Sequence, residues 1–105
     1  MLGLPQSKDK GLVKMRISIN RDRVVTFYSD PEGLYGYLYL NDGRLMVLNR
    51  TAIDILKYLY ESPMELMKLI EKLSQKYGLP KERIHGSVLK FIEKLVDLGV
   101  VRYED

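Results

Sequence analysis

The sequence has 105 residues, 46% of them hydrophobic, which suffices for one domain with one modest core and leaves little room for a deep catalytic cavity. It holds no cysteine and a single histidine, so disulfides, thiolate metal sites, iron–sulfur clusters, cysteine nucleophiles and two-histidine metal centres are excluded together. The net charge of +3 is uneven: residues 1–23 carry six Lys/Arg against two Asp, residues 24–61 three against five, and residues 62–105 eight against seven. A basic N-terminal segment can touch nucleic acid or an acidic partner, or can simply be solvated. No apolar run is long enough to span a bilayer, and Met1-Leu2-Gly3-Leu4-Pro5 lacks a charged-then-apolar signal pattern, so the expectation is a soluble, cytoplasmic protein with no membrane partner.

Residues 1–13 lack periodicity and contain Gly3, Pro5, Ser7 and Gly11, which predicts a flexible basic tail ahead of a single domain over residues 14–105. Met15, Ile17 and Ile19 alternate with Arg16, Ser18 and Asn20, the period of a half-buried strand. A turn at Asn20-Arg21-Asp22 leads to a second strand over Val24–Tyr28, rich in β-branched and aromatic residues. Ser29-Asp30-Pro31-Glu32-Gly33 is a turn, and Leu34–Leu40 a third strand with Tyr35, Tyr37 and Tyr39 on one face. Asn41-Asp42-Gly43 is a hairpin turn, since Asp-Gly tolerates positive φ, and Arg44–Leu48 pairs back.

At Asn49 the period switches from two to about 3.6 residues. Asn49 suits an N-cap, and Ala52, Ile55, Leu56 and Leu59 form the apolar stripe of a first helix that stops near Glu61. Ser62, Pro63 and Glu65 fit the N-cap, first and third positions of a capping box opening a second helix. Leu66, Leu69, Ile70, Leu73 and Tyr77 give that helix its buried face, and Gly78 ends it. Pro80 opens a third helix to about Leu98, with Ile84, Val88, Phe91, Ile92 and Leu95 inward and Gly99 closing it; Val100–Tyr103 adds a short strand. The expected fold is therefore α+β, an N-terminal antiparallel β-meander of three to four strands followed by a three-helix bundle, winged-helix-like in character.

Catalytic residue sets are missing: there is no glycine-rich phosphate loop, no Gly-x-Ser-x-Gly elbow and no His-Glu-x-x-His pair. Asp30 and Glu32 fall in a polar turn, where solvation opposes the raised pKa that general acid chemistry needs. His85 reads as a helix-flank residue, and neighbouring Gly86 as either a close approach of backbone or a neutral cost of about 1 kcal/mol. The tyrosine face reads either as a packed surface covered by the first strand or as a partner or homodimer surface. These features predict a non-enzyme with no metal or cofactor of its own.

The run Gly43-Arg44-Leu45-Met46-Val47-Leu48-Asn49-Arg50-Thr51-Ala52-Ile53-Asp54-Ile55-Leu56 resembles the PqqD family, the RiPP recognition elements, whose hallmark is a strand entering Leu-Asn-x-Thr-Ala and then an Ile-Leu helix. Tyr77-Gly78 and Leu98-Gly99-Val100 stand at fitting distances, and the resemblance covers roughly residues 34–103. It implies a peptide-modification chaperone of cofactor biosynthesis that holds the leader of a ribosomally made precursor peptide by strand addition. It also implies a modifying enzyme as partner, commonly a radical S-adenosylmethionine enzyme. Carried onto this chain, the peptide-binding residues are Arg44, Leu45, Met46, Val47 and Leu48 on the strand with Ser87, Phe91 and Lys94 on the third helix. Strand addition gives affinity through the backbone and selectivity through alternate side-chain pockets.

The rival reading is a winged-helix DNA-binding regulator, which needs a basic recognition helix. The third helix carries Lys81, Arg83, Lys90 and Lys94 against Glu82, Glu93 and Asp97, close to neutral, which speaks against DNA.

Overall fold

A computed structural model describes residues 15–104. Its elements in chain order are β1 (Arg16–Ile19), β2 (Val24–Ser29), β3 (Gly36–Leu40), β4 (Leu45–Leu48), α1 (Arg50–Glu61), β5 (Met64–Glu65), α2 (Leu66–Tyr77), α3 (Lys81–Asp97) and β6 (Val101–Glu104). The class is α+β, strands and then three helices, as the periodicities predict. The tail expected over residues 1–13 lies outside the described residues.

The meander is not continuous. β2-β3-β4 form one antiparallel sheet, whereas β1 sits at the centre of a second sheet, β5-β1-β6. Arg16 pairs with Glu65 on one side and with Glu104 on the other, so β1 takes its partners from the far end of the sequence rather than from β2. Both faces of β1 are covered: Ile17, Ser18 and Ile19 are all buried, and Ser18 donates its hydroxyl to Glu104 at 2.9 Å. A buried hydroxyl with a partner avoids the desolvation cost that an unpaired one would carry.

Two boundaries differ from the expected ones for local reasons. Leu34 and Tyr35 belong to a turn rather than to β3, because the buried Asp30 carboxylate accepts from both of their amides, at 2.7 and 3.0 Å. Those two bonds, Tyr35's first, hold the Asp30 carboxyl below the ordinary carboxylate range against the cost of burial. The capping box does not form either. Met64 and Glu65 are drawn into β5, with Met64 buried opposite Ile17, and α2 begins at Leu66 with no side-chain cap.

Elsewhere local chemistry governs. Gly43 adopts φ 93°, Gly43 N–H donates to Leu40 C=O, and Leu40 N–H donates to Arg44 C=O, closing a three-residue hairpin loop. The Asn49 side chain accepts from Ala52 N–H at 2.9 Å and starts α1. Gly78 ends α2 at φ 66°.

One core joins the two sheets and three helices, with Ile17, Leu38, Ile53, Leu56, Leu66, Leu69, Ile70, Leu73, Ile92 and Leu95 fully enclosed. Asp54 is the one buried carboxylate of α1. It receives Lys76 Nζ at 3.1 Å and the Tyr77 hydroxyl, clamping α1 to the end of α2.

Candidate peptide-binding groove

In β3-β4 the paired positions are Gly36–Leu48, Tyr37–Val47, Leu38–Met46 and Tyr39–Leu45. Side chains alternate across a sheet, so Met46 and Leu48 follow Leu38 toward the core, while Leu45 and Val47 join Tyr37 and Tyr39 on the outer face. Exposure agrees: Leu48 is buried, Met46 half-buried, and Leu45 and Val47 are 60% and 78% exposed.

Backbone groups alternate as well. Leu40 and Arg44 are bonded across the hairpin, so by antiparallel alternation Leu38–Met46 and Gly36–Leu48 are the bonded pairs. The N–H and C=O of Leu45 and Val47 therefore point away from β3. Among the described residues β4 pairs only with β3, which leaves those groups on an open edge.

Beside that edge lies a groove of about 420 Å³ lined by Met46, Val47, Asn49, Thr51, Ala52, Ile55, Ser87, Phe91 and Lys94. Its walls are β4 and α3, and the first turns of α1 form its end. Of the residues named from the sequence, Met46, Val47, Ser87, Phe91 and Lys94 meet here. Ser87, Phe91 and Lys94 share one α3 face because they are four and three residues apart. Leu48 does not line the groove; as a core residue 2% exposed it anchors the end of β4. Arg44 lies outside the lining, its Nε 2.8 Å from Asp42, and Leu45 faces the outer surface. The α1 residues Asn49, Thr51, Ala52 and Ile55 were not expected in the lining, although the Leu-Asn-x-Thr-Ala run already places them directly after β4.

The spacing of the walls is held by Arg23, which is only partly exposed. Its Nε donates to Leu98 C=O at the end of α3 at 2.8 Å, and its Nη2 donates to Asp42 in the β3-β4 turn at 3.0 Å. A cation at a helix C-terminus is favoured by the free carbonyls there. Asp42 also accepts from the Arg44 backbone amide at 3.0 Å, and that bond, with the two guanidinium groups, lowers its carboxyl to about 2.

A second cavity, of about 440 Å³, lies between α2 and α3 and is lined by Met67, Lys81, Glu82, His85 and Gly86. A Cβ added at Gly86 would meet nothing within 4 Å, so no close approach within the chain explains that glycine. Among the described residues no group of three or more His, Asp or Glu could hold a metal ion, and no helix is long and apolar enough to cross a membrane.

A family model described as coenzyme PQQ synthesis protein D (PqqD) matches residues 30–101. The chain belongs to the PqqD family. The matched span starts at the Asp30 turn and ends at the first residue of β6, so it contains both groove walls, while β1 and β2 precede it. PqqD proteins are non-catalytic accessory proteins of coenzyme PQQ synthesis with a peptide-binding chaperone role. No curated protein and no solved structure matches the chain.

Proposed function

We propose that this protein holds the leader of a ribosomally made precursor peptide by strand addition to β4 and presents it to a separate modifying enzyme, a radical S-adenosylmethionine enzyme. The observation that carries the reading is the open edge of β4, with the backbone groups of Leu45 and Val47 facing outward beside a groove walled by α3. An extended peptide there pairs its backbone with those groups and seats alternate side chains between Met46 and Phe91. The peptide-binding residues proposed are Arg44, Leu45, Met46, Val47, Ser87, Phe91 and Lys94, with Leu48 as the buried anchor of the strand.

The test is Val47→Pro, which removes one outward N–H without touching the β3-β4 bonds, with Val47→Thr keeping both the donor and the β-branch. Calorimetric titration with the leader of a precursor peptide, sought among short reading frames neighbouring the gene, should show binding lost in a folded Val47→Pro protein and kept in Val47→Thr. Phe91→Ala opens the α3 side of the groove without altering the backbone and should weaken the same titration. A folded proline variant that binds the leader as well as the parent would place the site elsewhere.

A further inference from the structure

The charges around the groove are one-sided. Of its lining residues Lys94 is the single ionised side chain, and no carboxylate is among them. Along α3, Arg83 stands four residues before Ser87, and Lys90 stands three after Ser87 and four before Lys94, so Arg83 and Lys90 border the face that carries Ser87, Phe91 and Lys94. All three cations are exposed, and none makes an ion pair among the described residues.

The α3 carboxylates do not line the groove. Glu82 lines the second cavity with His85. Glu93 and Asp97 follow Lys90 and Lys94 by three residues each, and neither makes an ion pair with them or lines the groove. The first turn of α1, where Thr51 and Ala52 enter the groove, holds Arg50 and no carboxylate. A helix that is close to neutral in total thus brings a cation and no carboxylate into the groove lining.

We infer that the groove selects an acidic peptide strand: apolar side chains at alternate positions packed against Met46 and Phe91, with at least one Asp or Glu placed to meet Lys94 and Lys90. The inference rests on strand addition to β4. The spacing is physically consistent, since the seven residues from Ser87 to Lys94 rise about 10 Å along the helix, the reach of roughly three residues of an extended strand. Phe91 and Lys94 are about 4.5 Å apart along the helix and two strand positions about 6.6 Å, so a carboxylate two positions beyond an apolar residue level with Phe91 comes within reach of the long Lys94 side chain. Complementary charge at the rim also speeds encounter and rejects basic peptides.

The experiment uses the full chain and a displayed library of random peptides about twelve residues long, a length that covers an added strand with both flanks. Selections run in parallel on the parent, on Val47→Pro and on the double variant Lys90→Glu/Lys94→Glu, with the fold of each followed by circular dichroism. The parent is expected to enrich peptides with alternating apolar residues and an Asp or Glu beside them. Charge reversal should weaken those peptides at least about tenfold and enrich Lys and Arg in its own selection.

Peptides that need the Val47 backbone but show no acidic enrichment, or bind the reversed variant equally, would sink the inference and leave strand addition standing. Peptides that bind Val47→Pro as tightly as the parent would sink strand addition itself, as would a selection returning no binder. A random-sequence DNA duplex that outcompetes the selected peptides at physiological salt, and is lost on charge reversal, would assign the cations to nucleic acid and overturn the proposal.

Discussion

Ile17 in β1 and Val47 in β4 are both β-branched residues inside short strands, yet Ile17 is 0% exposed and Val47 is 78% exposed. The sheets around them differ in the same sense. β5-β1-β6 joins segments from opposite ends of the described chain and lies under α1, with every residue of β1 after Arg16 buried. β2-β3-β4 is built from consecutive strands, and its outer face presents Tyr28 stacked on Tyr37, with Tyr39, Leu45 and Val47 beside them. Even within this sheet the two edges are unlike. The β2 side is tied to α1 by Phe27 stacked on Tyr60 at 5.3 Å, with the Arg21 guanidinium 4.8 Å over the same ring. Among the described residues the β4 edge pairs with no further strand and borders the groove. Burial is concentrated in the non-local sheet and the helices, whereas the local sheet exposes an edge.

The sharpest way to break this contrast is truncation at the two β-branched positions. Ile17→Ala should lower unfolding stability by about 2–5 kcal/mol in urea titrations, because it opens a cavity in a site with no exposed surface. Val47→Ala should change it by less than about 0.5 kcal/mol. Equal losses would show that the two sheets share the load.

Gly36 sharpens the comparison from inside the local sheet. A Cβ there would stand closer than van der Waals contact to the Tyr28 carbonyl oxygen and 3.0 Å from Ser29 Cα, both of them backbone. Gly36→Ala should therefore cost about 1–3 kcal/mol, and amide exchange should show faster opening of β2-β3 than of β1.

A smaller effect tests the helical side through pH. Burial first, and the bond to Asp54 second, raise the Tyr77 phenol to about 12. The folded protein thus keeps this proton when an unfolded tyrosine, titrating near 10, has lost it. The contribution is whole below about pH 10 and disappears between about pH 10 and 12. Urea midpoints should fall across that window, and Tyr77→Phe should flatten the fall.

What could be read from the sequence divides by the range of the interactions. The β3-β4 hairpin, the Asn49 cap and the Gly78 stop are decided by neighbours within a few residues, and each appears where local chemistry places it. The partner of β1 is decided by Val101–Glu104 and Met64–Glu65, far along the chain. A period of two announces a strand and says nothing of its partner. The lost capping box has the same origin, since pairing with Ile17 outweighed a local signal at Ser62-Pro63. For the groove, alternation alone separates Leu48 from Leu45 and Val47. The α3 face has no mark in periodicity that distinguishes it from any amphipathic flank, and only the family resemblance pointed to Ser87, Phe91 and Lys94.

Arg23 spans from the β3-β4 turn to the last carbonyls of α3, so both groove walls are fixed to one guanidinium before any peptide arrives. Under the proposed strand addition the receptor is preorganised, so the ordering cost of binding falls on the incoming strand and not on the groove. Its apparent affinity is not divided by the fraction of molecules with an open groove. Because the Asp42 partner stays ionised down to a pH of about 2, that readiness is insensitive to ordinary changes in acidity.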